Sequence, residues 1–539
     1  MWQQNYLGAG GSLWASAVVA ALPIALLFFL IGVRRMAAWK AVLGALLAAV
    51  LIARWVFGAP PAVLLSSFLY GATFGLFPVC WIVLPAIFLY RITLENGQFE
   101  IIKGSIAQLT GDARLQVLLI AFAFGAFLEG AAGFGAPVAI AGGMLAGLGF
   151  NRFQASSLCL LANTAPVAFG SIGIPIVTLA GLTHLPLEQL SATVGRISPV
   201  LSLIVPCYLT VVFAGWRKTW PVMPAIVVIS VVFAGVQFVV ANYVGPYLTD
   251  ILSSLAALLA LVILLQFWQP RDAEPPHAEG PAAPRRHHGL VVLRAWSPYL
   301  LLVGFVLLWG FGPVKALLER VTVSCAVPWL HDQVLRVPPV VNVAAPLAAV
   351  FKFNWLSAAG TACLLAAILG GFAVGLDVRA QGRILRTTLG QLAIPALTIT
   401  TVLGFAFLMN YSGLIATLGL AFAATGWLFP FFSAFLGWLG VFVTGSDTSS
   451  NALFGNLQVI TATKLGLNPL LMAASNAAAG VMGKMISLQS IAVVLAATGM
   501  PQSDESKLFR WALRHSLLLT ALVGLLVMLY AHVLPQVIP

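Results

Sequence analysis

The sequence predicts an all-α polytopic membrane protein of about 12 to 14 transmembrane segments in two repeat-related halves with broken or re-entrant helices. Three observations predict it. Of 539 residues, 61% are hydrophobic and 8% charged, against roughly a quarter charged in an ordinary soluble domain. The mean hydropathy is +1.01, and at about 20 residues per helix the apolar content leaves room for about twelve or more crossings. Tracts such as 13–33 and 221–241 are unbroken runs, whereas an outer-membrane barrel would show alternating segments of roughly ten residues.

The spans follow in order. The first two, 13–33 and 39–58, are plain apolar runs, and the charges of the first (Arg34, Arg35) follow it rather than precede it. That pattern reads as a retained span with its N-terminus outside, not a cleaved signal. The third, 62–92, contains Pro78 and Pro85 and should kink. Tracts 117–149 and 155–180 are studded with Gly, Asn and Pro, so breaks or hairpins are expected there. Plain spans follow at 191–214, 221–241, 247–268, 296–312 and 354–375. The stretch 387–497 then shows three tracts, 387–409, 413–443 and 452–497, the last too long for one helix, and 511–534 ends the series. Non-helical backbone at membrane depth persists only where protein buries it or water lines it.

One segment differs in composition. Residues 269–289, QPRDAEPPHAEGPAAPRRHHG, read as a Pro-rich flexible linker, which divides the chain into halves 1–268 and 291–539 around a linker at 269–290. His277, His287 and His288 lie there without a rigid element to hold them in coordination geometry, so no metal is expected.

The 27 Lys and Arg exceed the 15 Asp and Glu, for a formal charge of +12. The cations are dispersed over short loops (Arg34, Arg35, Lys40; Arg217, Lys218; Arg379, Arg383, Arg386), as the positive-inside rule produces. No basic stripe with interleaved aromatics is present, which argues against a nucleic-acid partner. The five cysteines (Cys80, Cys159, Cys207, Cys325, Cys363) are widely spaced, with neither a disulfide framework nor a thiolate metal site indicated.

The halves share a weak repeat. Gly149-Phe150-Asn151 precedes NTAPVAFG at 163–170, and Gly466-Leu467-Asn468 precedes NAAAGVMG at 476–483. Upstream of each lies a break with one acid, LEGAAGFGAP at 128–137 and TGSDTSSN at 444–451. The offsets are nearly constant: 318 for Glu129 and Asp447, 317 for Gly149 and Gly466, 313 for Asn163 and Asn476. Paired interrupted segments in corresponding halves point to a transporter's binding site, so broken helices or hairpin tips are expected at 129–137, 163–171, 445–451 and 476–484, forming a central site.

Most acids lie in loops or at span ends, where solvation explains them. Glu129 is the only charge between Arg114 and Arg152, and Asp447 the only one between Arg386 and Lys464. A carboxylate at the bilayer centre costs roughly 2.5 to 3.5 kcal/mol on insertion scales, and desolvation brings proton uptake and release within physiological reach. Both are candidate proton carriers; the plainer alternative is a capping acid or a structural ion pair. Lys484 is isolated between Lys464 and Asp504. With half-helix N-termini it would suit a small anion, although a lysine there could also snorkel or neutralise Asp447.

Ser446, Thr448, Ser449, Ser450 and Asn451 surround Asp447 and could read a substrate carboxylate or 2-hydroxyl, ligate Na⁺, or cap a helix. Asn163, Asn476 and Ser171 are candidates for the same cradle, with packing as their alternative. Arg196, near Glu188 in sequence, is expected near an interface. An intramembrane hydrolase is the rival class, but Ser171 stands in G-S-x-G, and no histidine in an apolar tract offers itself as a base. A channel is disfavoured by the repeat and the isolated acids. The reading is a carrier, not an enzyme, without cofactor.

At these residues the sequence resembles the lactate permease family of bacterial secondary transporters. The resemblance is dense at LEGAAGFGAPVAI (128–140), ANTAPVAFGSIG (162–173), MNYSG (409–413), GWLGVFVTGSDTSSNALFGNLQ (437–458), GKMISLQSIAV (483–493) and LFRWALRHS (508–516). It implies uptake of L-lactate, often also D-lactate and glycolate, by proton symport across the bacterial cytoplasmic membrane. The partners are then a small-molecule substrate, protons and lipid, with an oligomer possible. A Na⁺-coupled small organic anion transporter is the alternative. Where the family typically reads GKMISPQS, this chain has Leu488, which removes a helix-breaking constraint beside Lys484. The architecture it resembles is that of the elevator-type ion transporters.

Overall fold

The computed structural model describes residues 1–133, 135–272 and 288–539. His277 and His287 lie outside the described residues. His288 caps a helix start, its Nδ1 accepting the Leu290 N–H at 3.4 Å.

Among the described residues, 11 helices are long and apolar enough to cross a membrane, or 12 when one bent pair counts as a span. The first half opens with α1 (Leu13–Val33), α2 (Ala38–Trp55) and the kinked α3 (Pro61–Glu95). Next come α4 (Ala113–Ala131), wholly buried, and the short α5 (Ala136–Gly147), α6 (Arg152–Ala162) and α7 (Ile174–Thr183). The half closes with α8 (Leu187–Ala214), α9 (Met223–Tyr243) and α10 (Thr249–Phe267). In the second half, α11 (Gly289–Gly310), α12 (Ala359–Ala373), α13 (Val378–Tyr411) and α14 (Leu414–Phe422) precede the pair α15 (Phe429–Thr444) and α16 (Asp447–Leu465). The bent pair α17 (Pro469–Lys484) and α18 (Leu488–Thr498), turning by 40°, and α19 (Glu505–His532) complete it.

Small extramembrane sheets cap one face. Strand β1 (Trp2–Gln3) pairs in parallel with β3 (Val334–Arg336), and β3 with β4 (Ala345–Pro346), while β2 (Val323–Ala326) pairs with β5 (Val350–Phe353). Gln4 Nε2 donates to the carbonyls of Asn410 and Tyr411 at 3.0 Å, and the Tyr411 hydroxyl donates to the Ala348 carbonyl at 2.8 Å. The C-terminal end of α13 therefore lies at the cap. Its opposite end carries Arg379, Arg383 and Arg386, so cap and arginine-rich loops occupy opposite faces, with the cap outside by the positive-inside rule.

On the arginine face a guanidinium is entirely buried. Arg114 bonds both Asp112 oxygens (2.6 and 3.1 Å), the Lys218 carbonyl (2.7 Å) and Asp272. It ties the start of α4 to the α8–α9 turn and to the first residues of the linker. Asp112 does double duty as N-cap of α4, accepting the Arg114 N–H at 2.8 Å.

Candidate binding site at the hairpin tips

Two helical hairpins and two broken spans meet at the centre. Helix α4 rises from the arginine face and ends at Ala131, and α5, starting at Ala136, returns alongside it. Helix α15 runs in from the cap face and breaks at 445–446, and α16 returns against it, Ser450 Oγ donating to the Gly437 carbonyl at 3.0 Å. The broken span α6/α7 is interrupted at 163–173 and α17/α18 at 485–487. Each returning hairpin arm packs on the other half: α5 on α18 and α16 on α7. The hairpins open toward opposite faces, an inverted relationship.

The local sequence dictates the breaks. Gly445 takes φ +71° to end α15, and Ser446 caps α16 by accepting the Ser449 N–H at 3.3 Å. Asn151 and Asn468, equivalent in the repeat, each cap the helix that follows them, accepting the backbone N–H two residues on at 2.8 and 2.9 Å. Ile172 holds φ +47° while fully buried, a strained conformation for a β-branched residue. Leu488 occupies the first turn of α18 after the Ser487 cap, whose Oγ accepts the Ser490 N–H at 3.2 Å. The first helical position has no N–H partner to lose, so the cap sustains this break without a proline.

The buried charges converge there. Lys484 Nζ donates to Glu129 Oε1 at 2.7 Å, with side chains 11% and 3% exposed. The lysine thus pairs with the acid of the other half rather than with Asp447. Asp447, 4% exposed, lies within electrostatic reach of both members of the pair, and its Oδ2 accepts from Asn451 Nδ2 at 3.3 Å. Several buried polar atoms beside the breaks have no hydrogen-bond partner: Glu129 Oε2, Asp447 Oδ1, Ser171 Oγ and both amide atoms of Asn163. Since buried polar groups are normally satisfied, this concentration marks a place where another molecule completes the bonding.

The remaining expected residues divide. Asn476 is consumed by helix contacts: its Nδ2 donates to Asn451 Oδ1 at 2.9 Å and its Oδ1 accepts from Gln458 at 3.2 Å. Asn451 also donates to the Pro175 carbonyl at 3.1 Å, which joins α16 to α7. Ser450 fastens α15 to α16. Thr448 and Ser449 are half-buried at the start of α16. The expected tip at 476–484 is corrected: those residues are continuous helix, and the chain breaks at 485–487. The repeat slips because α17 runs 16 residues and α6 only 11. Likewise the expected break at 445–451 is confined to 445–446, with 447–451 forming the first turn of α16.

The expectation that the other acids are solvated also fails. Asp112 and Asp250 are each 2% exposed. Asp250 reads in sequence as an ordinary span-start acid; the structure buries it because the preceding turn 244–248 is packed against Gly173. An uncharged Gly-Pro turn before the helix was the available signal. Arg196 donates to Asn242 Oδ1 at 3.0 Å and to the Val537 carbonyl, beside an apolar groove between α8, α9 and α19.

Close packing fixes the site. A Cβ on Gly480 would fall 2.3 Å from Asp447 Oδ1 and 2.9 Å from Val441 Cγ2. Gly480→Ala should therefore lower stability by about 1–3 kcal/mol through overpacking, read as a lower melting temperature in detergent. An unchanged midpoint would mean that the α16–α17 seam is slack.

Many spans, hairpin tips meeting broken helices and isolated buried charges define a membrane transporter. The family described as L-lactate permease matches residues 16–534. The chain is 44% identical to an L-lactate permease of Bacillus subtilis and 45% identical to one of Escherichia coli, with all of each chain covered. It is also 44% identical to the glycolate permease of Escherichia coli, covering 99% of this chain and 98% of that one. Among solved structures it is similar to the YdaH transporter of Alcanivorax borkumensis, at 16% identity and TM-score 0.46 over 87% of each chain. The chain belongs to the L-lactate permease family, and it is a transporter, not an enzyme, multi-pass in the bacterial plasma membrane.

Proposed function

We propose that this permease takes up L-lactate and related 2-hydroxymonocarboxylates, D-lactate and glycolate, by symport with one proton. The observation that carries the reading is the buried Lys484–Glu129 pair, set among polar atoms that lack partners. In the empty site Glu129 occupies the ammonium. A proton arriving on Glu129 releases Lys484, which then pairs with the substrate carboxylate, so anion and proton enter together. The site carries the same net charge before and after, which avoids burying an uncompensated ion. In this reading Ser171, Asn163 and the hydroxyls of Ser446, Thr448 and Ser449 read the 2-hydroxyl and the second carboxylate oxygen. Ser450, Asn451 and Asn476 hold the helices that present them, and Asp447 is the second proton-coupling candidate. Relatives named L-lactate and glycolate permeases support the substrate class.

The halves 1–268 and 291–539 then act as opposed repeats, each supplying one member of the pair, joined through the 269–290 linker. Asp447 Oδ1, which lacks a protein partner, favours the Na⁺-coupled alternative. The deciding experiment is labelled L-lactate accumulation in proteoliposomes under an inward proton gradient, with and without Na⁺, and with D-lactate or glycolate as competitors. Accumulation independent of Na⁺ is the expected result; a strict Na⁺ requirement would reject proton symport. A neutral cargo of one anion and one proton should also ignore membrane potential, which is worth about 2.3 kcal/mol per charge per 100 mV. Strong voltage-driven uptake would contradict the stoichiometry.

A further inference from the structure

Asp250 has no part in the scheme above, yet it stands beside it. It lies in the first turn of α10, 2% exposed, and no side chain hydrogen-bonds either carboxyl oxygen. Helix α10 packs directly on α4: a Cβ on Gly130 would meet Asp250 Cβ at 3.0 Å and Ile251 N at 3.0 Å. Only a glycine next to Glu129 lets the two helix backbones approach so closely, and that approach sets the two acids on one seam. Glu129 Oε2, the oxygen that Lys484 leaves free, is likewise unpartnered.

Among the described residues, the charged groups within electrostatic reach of Asp250 are Glu129 from α4 and Lys484 from α17, and the Gly170 N–H of the 163–173 break donates toward it. Among the described residues, the other elements packed on α10 bring no charged side chain: residues 117–124 of α4 are all apolar, the 171–173 turn is Ser-Ile-Gly, the buried residues of α9 are uncharged, and the preceding turn adds only the phenol of Tyr247. One ammonium can balance one carboxylate, and Glu129 has taken it. An ionised Asp250 beside an ionised Glu129 would leave an uncompensated negative charge in a dry interior. Asp250 must therefore hold a proton whenever Glu129 does not, and the close α4–α10 approach at Gly130 sets that proton on the same seam as Glu129.

We infer that Asp250 is a proton-relay residue that hands its proton to Glu129 when Lys484 is released to the substrate. The inference rests on the proton-symport reading. The O–H bond of Asp250 breaks as that of Glu129 forms, directly or through one intervening water, and Asp250 is reprotonated from the aqueous side to which the site opens. No other reactant is required. Its role is to deliver protons, not to hold the substrate.

Two assays on Asp250→Asn in proteoliposomes test this. Exchange of labelled for unlabelled L-lactate at equal pH needs no net proton delivery and should stay within about twofold of the unmodified protein. Accumulation driven by an imposed proton gradient should fall at least tenfold. Asp250→Glu keeps a titratable acid and should restore most of the accumulation with a displaced pH profile, although it fits the packed seam less well than the isosteric amide. Full accumulation by Asp250→Asn would overturn the relay. Loss of both exchange and accumulation in both variants would also overturn it, by placing Asp250 in packing or substrate binding. If the unmodified protein itself fails to accumulate lactate on a proton gradient, the symport reading falls and the relay falls with it.

Discussion

Lys484→Gln is expected to lose L-lactate binding by at least about thirtyfold, because truncating one partner of a buried charge contact costs about 2–5 kcal/mol. The same change leaves Glu129, 3% exposed, without its 2.7 Å partner. Removing one member of such a pair destabilises by about 3–5 kcal/mol. A second replacement separates these effects. In Lys484→Gln with Glu129→Gln both charges are gone, and most of the lost thermal stability should return while binding does not. Equilibrium binding and melting curves of the purified variants read the two quantities. Undiminished affinity in Lys484→Gln would remove the lysine from the substrate site.

Glu129→Gln should behave as a carrier locked in its protonated form. On the proposed scheme a proton on Glu129 favours binding in the unmodified protein, so affinity should strengthen as pH falls and weaken by at most about tenfold per unit as pH rises, the slope of a one-proton linkage. With an amide at this position that dependence should disappear, leaving less than about a twofold change between pH 6 and pH 8. Binding at alkaline pH should be tighter than in the unmodified protein, lactate exchange should persist, and accumulation on a proton gradient should be lost. Asp447→Asn is the matched comparison. Should Glu129→Gln keep a normal pH response while Asp447→Asn loses it, the coupling acid is Asp447; should both keep it, neither acid carries the proton.

These variants also differ in what a purely structural pair would do. A scaffold pair would lose stability in Lys484→Gln without producing a pH-independent carrier in Glu129→Gln. Conversely, a mobile pair ties affinity to pH. The readout therefore distinguishes a salt bridge that fastens two helices from one that opens with each transport cycle.

The sequence by itself determined the protein's class, most of its helices and the most conspicuous members of its centre. Apolar run length sets span positions because the bilayer sets helix length, and isolated charges stand out because hydrocarbon makes them costly. Glu129, Asp447 and Lys484 were legible for that reason, as were the breaks between Ala131 and Ala136 and at 445–446, where glycine and capping residues leave a local signature.

Only the tertiary structure decided which charge meets which. Lys484 pairs with Glu129 across 355 positions of sequence, not with the nearer Asp447, because packing between the halves, not chain proximity, brings their ends together. Asn476 looked like a cavity residue until its amide proved to be shared between Asn451, Ser450 and Gln458. Asp250 resembled a solvated span-start acid, since its burial depends on a turn that packs against Gly173 and on Gly130 admitting α10. Depth and partnership are properties of packed surfaces. A linear pattern records that a group is polar and where it lies along the chain, while the neighbours that satisfy it come from segments far away.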